Sequence, residues 1–247
     1  MTDLEGITAT RGPVRTAATS LWLGIIGVVM AALGAVGSGQ GLWPFTIGLL
    51  MVAVAFLLAV IGLLFALFAA LRKPAGSPLG RRIGVGFLLC GAVLAAIGPW
   101  IYRGVAFPPI HDVTTNLANP PAFLAIPLRK DNLAGVASLD EWRRLHRAAY
   151  ADIVSVRINK APGDVIARAT TLATERGWII SPSVPGQLEA TATESPFKFK
   201  DVIVVVATAE ADGTSTRVNM RSVSQVGASD FGVNAKRIRE FLKALQN

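Results

Sequence analysis

Hydrophobic and polar positions follow different patterns in the two parts of this chain. Within the first hundred residues, three continuous apolar stretches, at about 20–37, 45–71 and 83–101, contain no charged side chain. A bilayer core of about 30 Å is crossed by about 20 helical residues, whereas a surface helix of a soluble protein keeps a polar face. The pattern therefore predicts three transmembrane helices within residues 20–102, after a polar N-terminal segment over residues 1–19.

From residue 103 to residue 247, apolar residues alternate or recur every three to four positions, as they do in a globular domain. The predicted elements are a helix over Leu139–Ala149, a strand over 153–159 with Val154, Val156 and Ile158 on one side, a helix over 162–176, strands over 178–181, Gln187–Glu194, 202–210 and 215–224, and a helix over 230–246. This order predicts an α+β domain with an antiparallel sheet and with helices packed on one face.

Local signals mark the ends of these elements. Ser138 and Glu141 form a capping-box pattern at the start of the first helix. Pro162 suits the first turn of the second helix, and Gly177 suits its end. The pair Asp212-Gly213 is typical of a hairpin turn between the last two strands.

The apolar faces of the elements predict the core. The strand over 202–206 is apolar on both faces, which is typical of a central strand. The segment over 107–137 is rich in proline, so we expect an extended chain that wraps the domain surface. In the last helix, Lys236, Arg237, Arg239 and Lys243 are expected to face mostly solvent. The predicted buried stripes are Val165, Ala169, Leu172 and Ala173 in the second helix and Phe231, Ala235, Ile238, Leu242 and Leu245 in the last.

Composition narrows the class of protein. The chain has 247 residues, of which 52% are hydrophobic and only 16% charged, with a formal charge of +8. These values exclude a disordered chain, which has low hydrophobicity, and a uniformly soluble globule, in which about 25% of residues are charged. The single cysteine, Cys90, excludes a disulfide scaffold.

Positive charge predicts the orientation. Arginines precede the first apolar stretch, and four Lys or Arg residues lie between the second and third, whereas the loop over 38–44 has no charge. Cationic loops stay in the cytoplasm, so we expect a cytoplasmic N-terminus and an extracytoplasmic domain over 103–247, at a bacterial inner membrane. The cationic residues expected in the cytoplasm are Arg11, Arg15, Arg72, Lys73, Arg81 and Arg82. The aromatic residues expected at the outer membrane–water interface are Trp43, Trp100 and Tyr102. An alternative is a signal peptide cleaved near 35–37.

Small residues recur at seven-residue spacing in all three apolar stretches. This spacing keeps them on one stripe, so that helices approach closely in a bundle or in an oligomer or partner interface; the alternative is chance, because Gly and Ala are frequent here. Cys90 is interpreted as a packing residue. The repeats are Gly27 and Gly34, then Gly48, Ala55, Gly62 and Ala69, then Gly84, Gly91 and Gly98.

Two long motifs resemble a known family. The run over 107–115, Phe-Pro-Pro-Ile-His-Asp-Val-Thr-Thr, and the block over 217–238 are similar to the opening and closing motifs of the bacterial domain-of-unknown-function family 1499. Members often carry Asp at the position of Asn219 and a basic residue at that of Gln225. The resemblance covers nearly all of 105–247. It implies a membrane-anchored envelope protein, and it brings no established activity, ligand or catalytic residue.

The pair His111-Asp112 is the first candidate site. Neighbouring side chains of an extended segment point to opposite sides, so the two need not touch. His111 is interpreted either as a general base or metal ligand, or as a structural residue that bonds a backbone carbonyl. His146 is expected to be solvated. With two histidines, we expect no metal and no other cofactor.

The block from Arg221 to Arg237 is the second candidate. One interpretation is an anionic headgroup or peptide held by Arg221, Asn234 and Arg237. The other is a structural network in which Arg221 pairs with Asp230, a helix cap, and Asn234 bonds the backbone. A hydrolase that combines Ser222, His111 and Asp230 is an alternative without a nucleophile-elbow pattern.

The leading hypothesis is therefore an envelope protein with an outward binding or scaffolding domain. A lipid-like ligand is expected between the last helix and the sheet. The alternatives are a membrane-tethered hydrolase, which uses His111 with Ser222 or Asp230, and a structural subunit of an envelope complex. A basic cluster, made of Arg143, Arg144 and Arg147, is interpreted as a contact to anionic lipid or as a solvated helix face. Nucleic acid is not an expected partner.

Overall fold

The chain is divided into two units that are joined within the third of its long helices. A computed structural model describes residues 2–73, 75, 77–182 and 184–247, with side chains from residue 12 onward. One unit comprises Met1–Ile101 with Pro196–Lys198, and the other comprises Tyr102–Ser195 with Phe199–Asn247.

Three long helices form the first unit: α1 (Thr2–Gly39), α2 (Phe45–Arg72) and α3 (Leu79–Ala106), whose last turn belongs to the second unit. The stretches Gly12–Gly39, Phe45–Arg72 and Leu79–Ala106 are each long and apolar enough to cross a membrane. The prediction of three such helices is confirmed. Each helix is longer than its apolar stretch, because polar residues next to the stretch also adopt helical conformation. The ends of such a helix need not lie in lipid.

Small residues bring α1 and α2 close together. Gly27 and Gly34 are buried on α1, and a Cβ atom added to Gly34 would lie 2.7 Å from the carbonyl oxygen of Gly48. One added to Gly62 would lie 2.6 Å from Sγ of Cys90, a buried packing residue of α3. The predicted stripe of α2 is thus confirmed at the helix contacts, where its buried residues are Gly48, Ala55, Ala59, Gly62, Ala66 and Ala69.

The predicted stripe of α3 does not face the other helices. A Cβ atom added to Gly84, Gly91 or Gly98 would meet no atom within 4 Å. The buried residues of this helix are Leu79, Ile83, Gly86, Cys90 and Val93. Gly84 and Gly86 are two positions apart and therefore lie on nearly opposite sides of a helix with 3.6 residues per turn. A seven-residue period defines a stripe but does not say which stripe contacts a neighbour.

Alanine substitutions separate the packed glycines from the open ones. Gly62→Ala is expected to lower the stability of the helical unit by about 1–3 kcal/mol, because its methyl group overlaps Cys90. Gly91→Ala, with open space around it, is expected to leave stability unchanged or to raise it by up to about 1 kcal/mol. Thermal unfolding in detergent measures both. Equal losses for the two variants would contradict the described packing.

The second unit is an antiparallel sheet with helices, as predicted, and it has six strands where the sequence predicts five, because β1 was not expected. The strand order is β1-β6-β5-β4-β3, and β2 pairs with the first half of β6 while β1 pairs with its second half. The long β5 is central, as expected from its apolar faces. The strands are β1 (Asp112–Thr114), β2 (Val156–Ile158), β3 (Ile179–Ile180), β4 (Gln187–Glu194), β5 (Phe199–Ala209) and β6 (Thr216–Ser224), and the helices are α4 (Leu139–Ala149), α5 (Pro162–Glu175) and α6 (Val233–Gln246).

The predicted ends of these elements are largely confirmed. Ser138 accepts a hydrogen bond from the Glu141 amide at 3.1 Å and caps α4. Gly177 adopts a φ of 71° after α5, and Gly213 adopts a φ of 68° in the β5–β6 turn. Strand β2 is shorter than predicted, and Ile153 is buried there while Val154 is 58% exposed. Val156 and Ile158 face the core as predicted, and only Val154 does not, because it precedes the paired strand.

The core lies between the sheet and α5 and α6. The predicted face of α5 is buried, and most of the α6 stripe is buried too. Phe231 is a correction, because it precedes α6 and is 36% exposed, whereas Phe241 is fully buried. Phe241, Ile238 and Met220 are among the side chains that fill the space where a lipid-like ligand was expected.

The proline-rich segment lies against the opposite face of the sheet. Glu189 and Arg221 are both register partners of Val204, so they share this face. Glu189 accepts hydrogen bonds of 2.6–3.1 Å from the amides of the run 124–126. The prediction of a surface wrap is wrong for residues 110–115, which are buried and include β1. Three residues are too few to show strand alternation, and β6 supplies their hydrogen bonds.

Candidate functional site

The seven predicted site residues lie around the paired ends of β1 and β6. Alternation along β6 turns Arg221 and Ser222 to opposite faces of the sheet. The structure therefore divides the seven into two groups, which we call the helix-face cluster and the segment-face cluster. The helix-face cluster contains Ser222, Asp230, Asn234 and Arg237, and the segment-face cluster contains Asp112 and Arg221, with His111 beside β1.

Asn234 connects the members of the helix-face cluster. Its Oδ1 accepts hydrogen bonds from the Ser222 hydroxyl at 2.6 Å and from Arg237. Its Nδ2 donates to the His111 carbonyl at 2.9 Å and to the Ser224 hydroxyl at 3.0 Å. The amide thus uses both of its acceptor and both of its donor positions. The predicted bond from Asn234 to the backbone is confirmed.

Arg237 is the charged centre of the same cluster. Its Nη2 lies 2.6 Å from carboxylate oxygens of both Asp201 and Glu194, and its Nη1 donates to Ser222 at 2.8 Å. Arg237 is 8% exposed, so the expectation that it faces solvent is wrong. Sequence analysis also missed Asp201, although a carboxylate in the apolar β5 is a signal that a buried cation lies nearby.

Asp230 holds the start of α6. Its carboxylate accepts hydrogen bonds from the Gly232 amide at 2.9 Å and the Asn234 amide at 2.7 Å, which confirms its capping role. Burial raises the pKa of Asp230 above its usual range. The cap is therefore committed to the backbone, and the expected pair between Arg221 and Asp230 does not form.

Arg221 pairs instead with Asp112 in the segment-face cluster. Two nitrogens of its guanidinium bind the two carboxylate oxygens at 2.9 and 2.6 Å. Arg221 also donates to the Pro121 carbonyl at 3.1 Å and lies over the Phe123 ring. Asn132 donates to Asp112. This cluster connects the proline-rich segment to the β1–β6 pair. Asp112 becomes the partner of Arg221 because β1 and β6 pair, and their spacing in the sequence does not indicate this contact.

Both histidines are buried beside β1. His111 is 2% exposed, and its Nδ1 lies 3.4 Å from the Ala228 carbonyl, which matches its structural interpretation. His146 is 1% exposed, so the prediction of a solvated residue is wrong. Its Nε2 accepts a hydrogen bond of 3.1 Å from the Thr114 amide. A histidine among charged residues on a short helix resembles a surface residue until the strand that it contacts is known.

These histidines predict acid sensitivity of β1. Burial lowers the pKa of both rings below the usual value, because it penalises the imidazolium. Below a pH of about 6.5 the unfolded chain binds protons that the folded chain does not, so stability falls as the pH falls toward the folded pKa values. Hydrogen exchange of the β1 amides, corrected for intrinsic rates, is expected to lose protection between pH 7.5 and pH 5.

A His146→Gln variant is the control, since its amide oxygen accepts the Thr114 hydrogen bond without titrating. We expect its loss of protection at pH 5 to be smaller than that of the wild type. Equal pH dependence in both proteins would show that His146 is not a source of the effect.

The other roles that the sequence raises are hydrolysis, metal binding and contact with anionic lipid. The Ser222 hydroxyl donates to Asn234, the His111 ring bonds to Ala228, and the Asp230 carboxylate caps α6, so the three groups of the hydrolase alternative do not bond one another. Within the described part of the chain, no three His, Cys, Asp or Glu side chains are placed to hold a metal ion. On α4, Arg143 and Arg144 form ion pairs three residues away with Asp140 and Glu141. Together with Arg147, they line an open surface depression.

Most of the α+β unit matches a known protein family. A family model described as protein of unknown function (DUF1499) matches residues 112–245, from the first residue of β1 to the last turn of α6. Neither a curated protein nor a solved structure shows significant similarity to the chain. The matched region contains six of the seven predicted site residues, and His111 directly precedes it.

Proposed function

We propose that this chain, which belongs to the DUF1499 family of proteins of unknown function, is a bacterial inner-membrane protein with a binding or scaffolding unit outside the cytoplasm. In this proposal α1, α2 and α3 cross the membrane, the N-terminus stays in the cytoplasm, and the α+β unit is held on the outer side. The family description assigns no activity, so the proposal is argued from charge and from the hydrogen bonds of the unit.

Charge supports the orientation. The loop over 38–44 is uncharged, whereas Arg72 ends α2, Lys73 follows it, and Arg81 and Arg82 lie in the first turn of α3. Under the positive-inside rule, the α2–α3 connection and the N-terminus lie in the cytoplasm. Three crossings then put residues after α3 on the outer side.

The observation that carries a binding or scaffolding role is the engagement of the predicted site residues with one another. Asn234 satisfies all its hydrogen-bonding positions within the unit, Arg237 has two carboxylate partners, and Arg221 is bidentate to Asp112. Catalytic groups are instead aimed at a substrate position. We infer that these residues act as the framework of the unit, so that a partner contacts its outer surface.

Reporter fusions test the orientation. Alkaline phosphatase joined after Asn247 or within 40–43 is expected to be active, since it folds only outside the cytoplasm, and a fluorescent protein joined after Asn247 is expected to be dark. Alkaline phosphatase inserted after Lys73 is the control and is expected to be inactive. An inactive enzyme at Asn247 with an active one at Lys73 would overturn the orientation.

A covalent probe tests the absence of hydrolase chemistry. A fluorophosphonate is expected to leave Ser222 unmodified in the full chain in membranes, because the hydroxyl is buried and bonded to Asn234 and Arg237. Labelling that disappears in Ser222→Ala, but remains in Ser155→Ala, would overturn the proposal in favour of the hydrolase.

A further inference from the structure

Phe231 has an unusual backbone conformation. Its φ is 54°, in the left-handed region that an L-residue with a Cβ atom rarely adopts, and the residue is 36% exposed. Its neighbours Asp230 and Gly232 are both buried. Because 36% of the residue remains exposed, a contact outside the unit offers a further reason for this conformation.

The turn over 229–232 is held by hydrogen bonds that direct Phe231 outward. The Ser229 hydroxyl donates to the Pro108 carbonyl and accepts from the Phe231 amide, each at 3.2 Å. The Asp230 amide donates to the Ile110 carbonyl at 3.3 Å. The turn is thereby joined to the first residues that follow α3, and the position of Phe231 is set from both ends.

Within the second unit, Phe231 lies beside the last turn of α3. A Cβ atom added to Gly104 would be 3.3 Å from Cε1 of the Phe231 ring. The same turn of α3 exposes Tyr102 by 72% and Val105 by 86%. Tyr102, Val105 and Phe231 therefore present aromatic and aliphatic groups at the same end of the helix.

We propose that Phe231 inserts into the interface of the lipid bilayer where α3 leaves the membrane. The end of a spanning helix lies at headgroup depth, where aromatic rings are favoured. Phe231 is next to that end, and it continues an apolar surface that α3 itself exposes. The α+β unit then has a second contact with the membrane besides its covalent link. This inference depends on α3 crossing the membrane, and not on the side or on the binding role proposed above.

Depth measurement by spin labelling tests the contact in the full chain. Cys90 is the only cysteine, so a Cys90→Ser background allows single labels at Phe231→Cys, Val105→Cys and Ile179→Cys. Ile179 is the matched control because it is 67% exposed and lies on β3, four strand spacings, or about 19 Å, from the β1 edge. The chain is placed in vesicles of phosphatidylethanolamine and phosphatidylglycerol.

The label at 231 is expected to show a ratio of oxygen to nickel-chelate collision rates several-fold higher than the label at 179, and close to that at 105. A ratio at 231 equal to that at 179, with a lipid-like ratio at 105, would overturn the inference while leaving the membrane anchor intact. A water-like ratio at 105 as well would overturn the inference, because it would place the whole last turn of α3 above the bilayer interface.

A second variant keeps a ring at this position if Phe231→Cys does not fold. In Phe231→Trp, lipids brominated near the headgroup are expected to quench an additional emission component relative to the wild type. Ile179→Trp is the matched control and is expected to add emission that these lipids do not quench. An added component in Phe231→Trp that is equally resistant to quenching would overturn the inference.

Discussion

Arg237→Met is expected to lower the free energy of unfolding of the α+β unit by about 3–5 kcal/mol. The substitution leaves Asp201, whose side chain is 4% exposed, as a buried carboxylate without its cation. It also removes the donor to Ser222 and to Asn234. For a unit of this size, a loss of 3 kcal/mol corresponds to a fall in Tm of roughly 10 °C. Thermal unfolding of the full chain, followed by near-ultraviolet circular dichroism, measures it.

Arg239→Met is the matched control on the same helix. Arg239 also forms a bidentate pair, with Asp152, but the two side chains are 41% and 58% exposed. Water screens such a pair, so the expected loss is below about 1 kcal/mol. Similar losses for the two variants would show that burial of the Arg237 pair does not set its contribution.

A second variant tests the origin of the Arg237 effect. Adding Asp201→Leu to Arg237→Met removes the carboxylate that was left without a partner. The double variant is expected to regain part of the lost stability, because a buried charge pair replaced by apolar residues is often neutral. A double variant less stable than Arg237→Met alone would locate the loss in the contacts to Ser222 and Asn234 instead.

Phe241→Ala is expected to lower the free energy of unfolding by about 3–5 kcal/mol, through lost burial and a cavity. Phe241 is fully buried, and its ring stacks on Trp178 at a centroid distance of 5.0 Å. The Arg176 guanidinium covers the same ring at 4.8 Å from its centroid. Urea unfolding of the full chain, followed by tryptophan fluorescence, measures the loss.

Phe231→Ala provides the comparison, since sequence periodicity predicts Phe231 as the buried residue of the pair. The expected loss is below about 1 kcal/mol, because the ring is partly exposed and lies outside the main core. A larger loss for Phe231→Ala than for Phe241→Ala would support the predicted stripe over the described core.

Features that depend on neighbours along the chain were predicted well. The Ser138 cap of α4, the end of α5 at Gly177 and the turn at Gly213 occur as expected, although the Glu141 carboxylate bonds Arg144 rather than completing a capping box. Each depends on interactions within a few residues, which sequence spacing specifies. The three long apolar helices were also predicted from neighbouring residues alone, since about 20 consecutive residues without charge indicate a membrane-length helix.

Features that depend on distant partners were predicted poorly. His146 carries no sequence signal for burial, because its partner Thr114 lies on a three-residue strand more than thirty positions away. Arg221 was paired with Asp230, a nearby residue in the chain, whereas the β1–β6 register brings Asp112 to it. A one-residue shift of that register would turn Asp112 away from Arg221.

The sequence by itself determined the three membrane-length helices, the α+β order of the following unit and most of its local caps and turns. Only the tertiary structure decided which face of α3 packs, that Phe241 rather than Phe231 fills the core, and that the seven predicted site residues form two buried clusters on opposite faces of the sheet. The physical reason is the range of the interactions. Hydrophobic patterns, helix periods and caps depend on residues a few positions apart, whereas the Arg221–Asp112 pair and the β1–β6 register join segments about a hundred positions apart, and such partners meet only once the chain has folded.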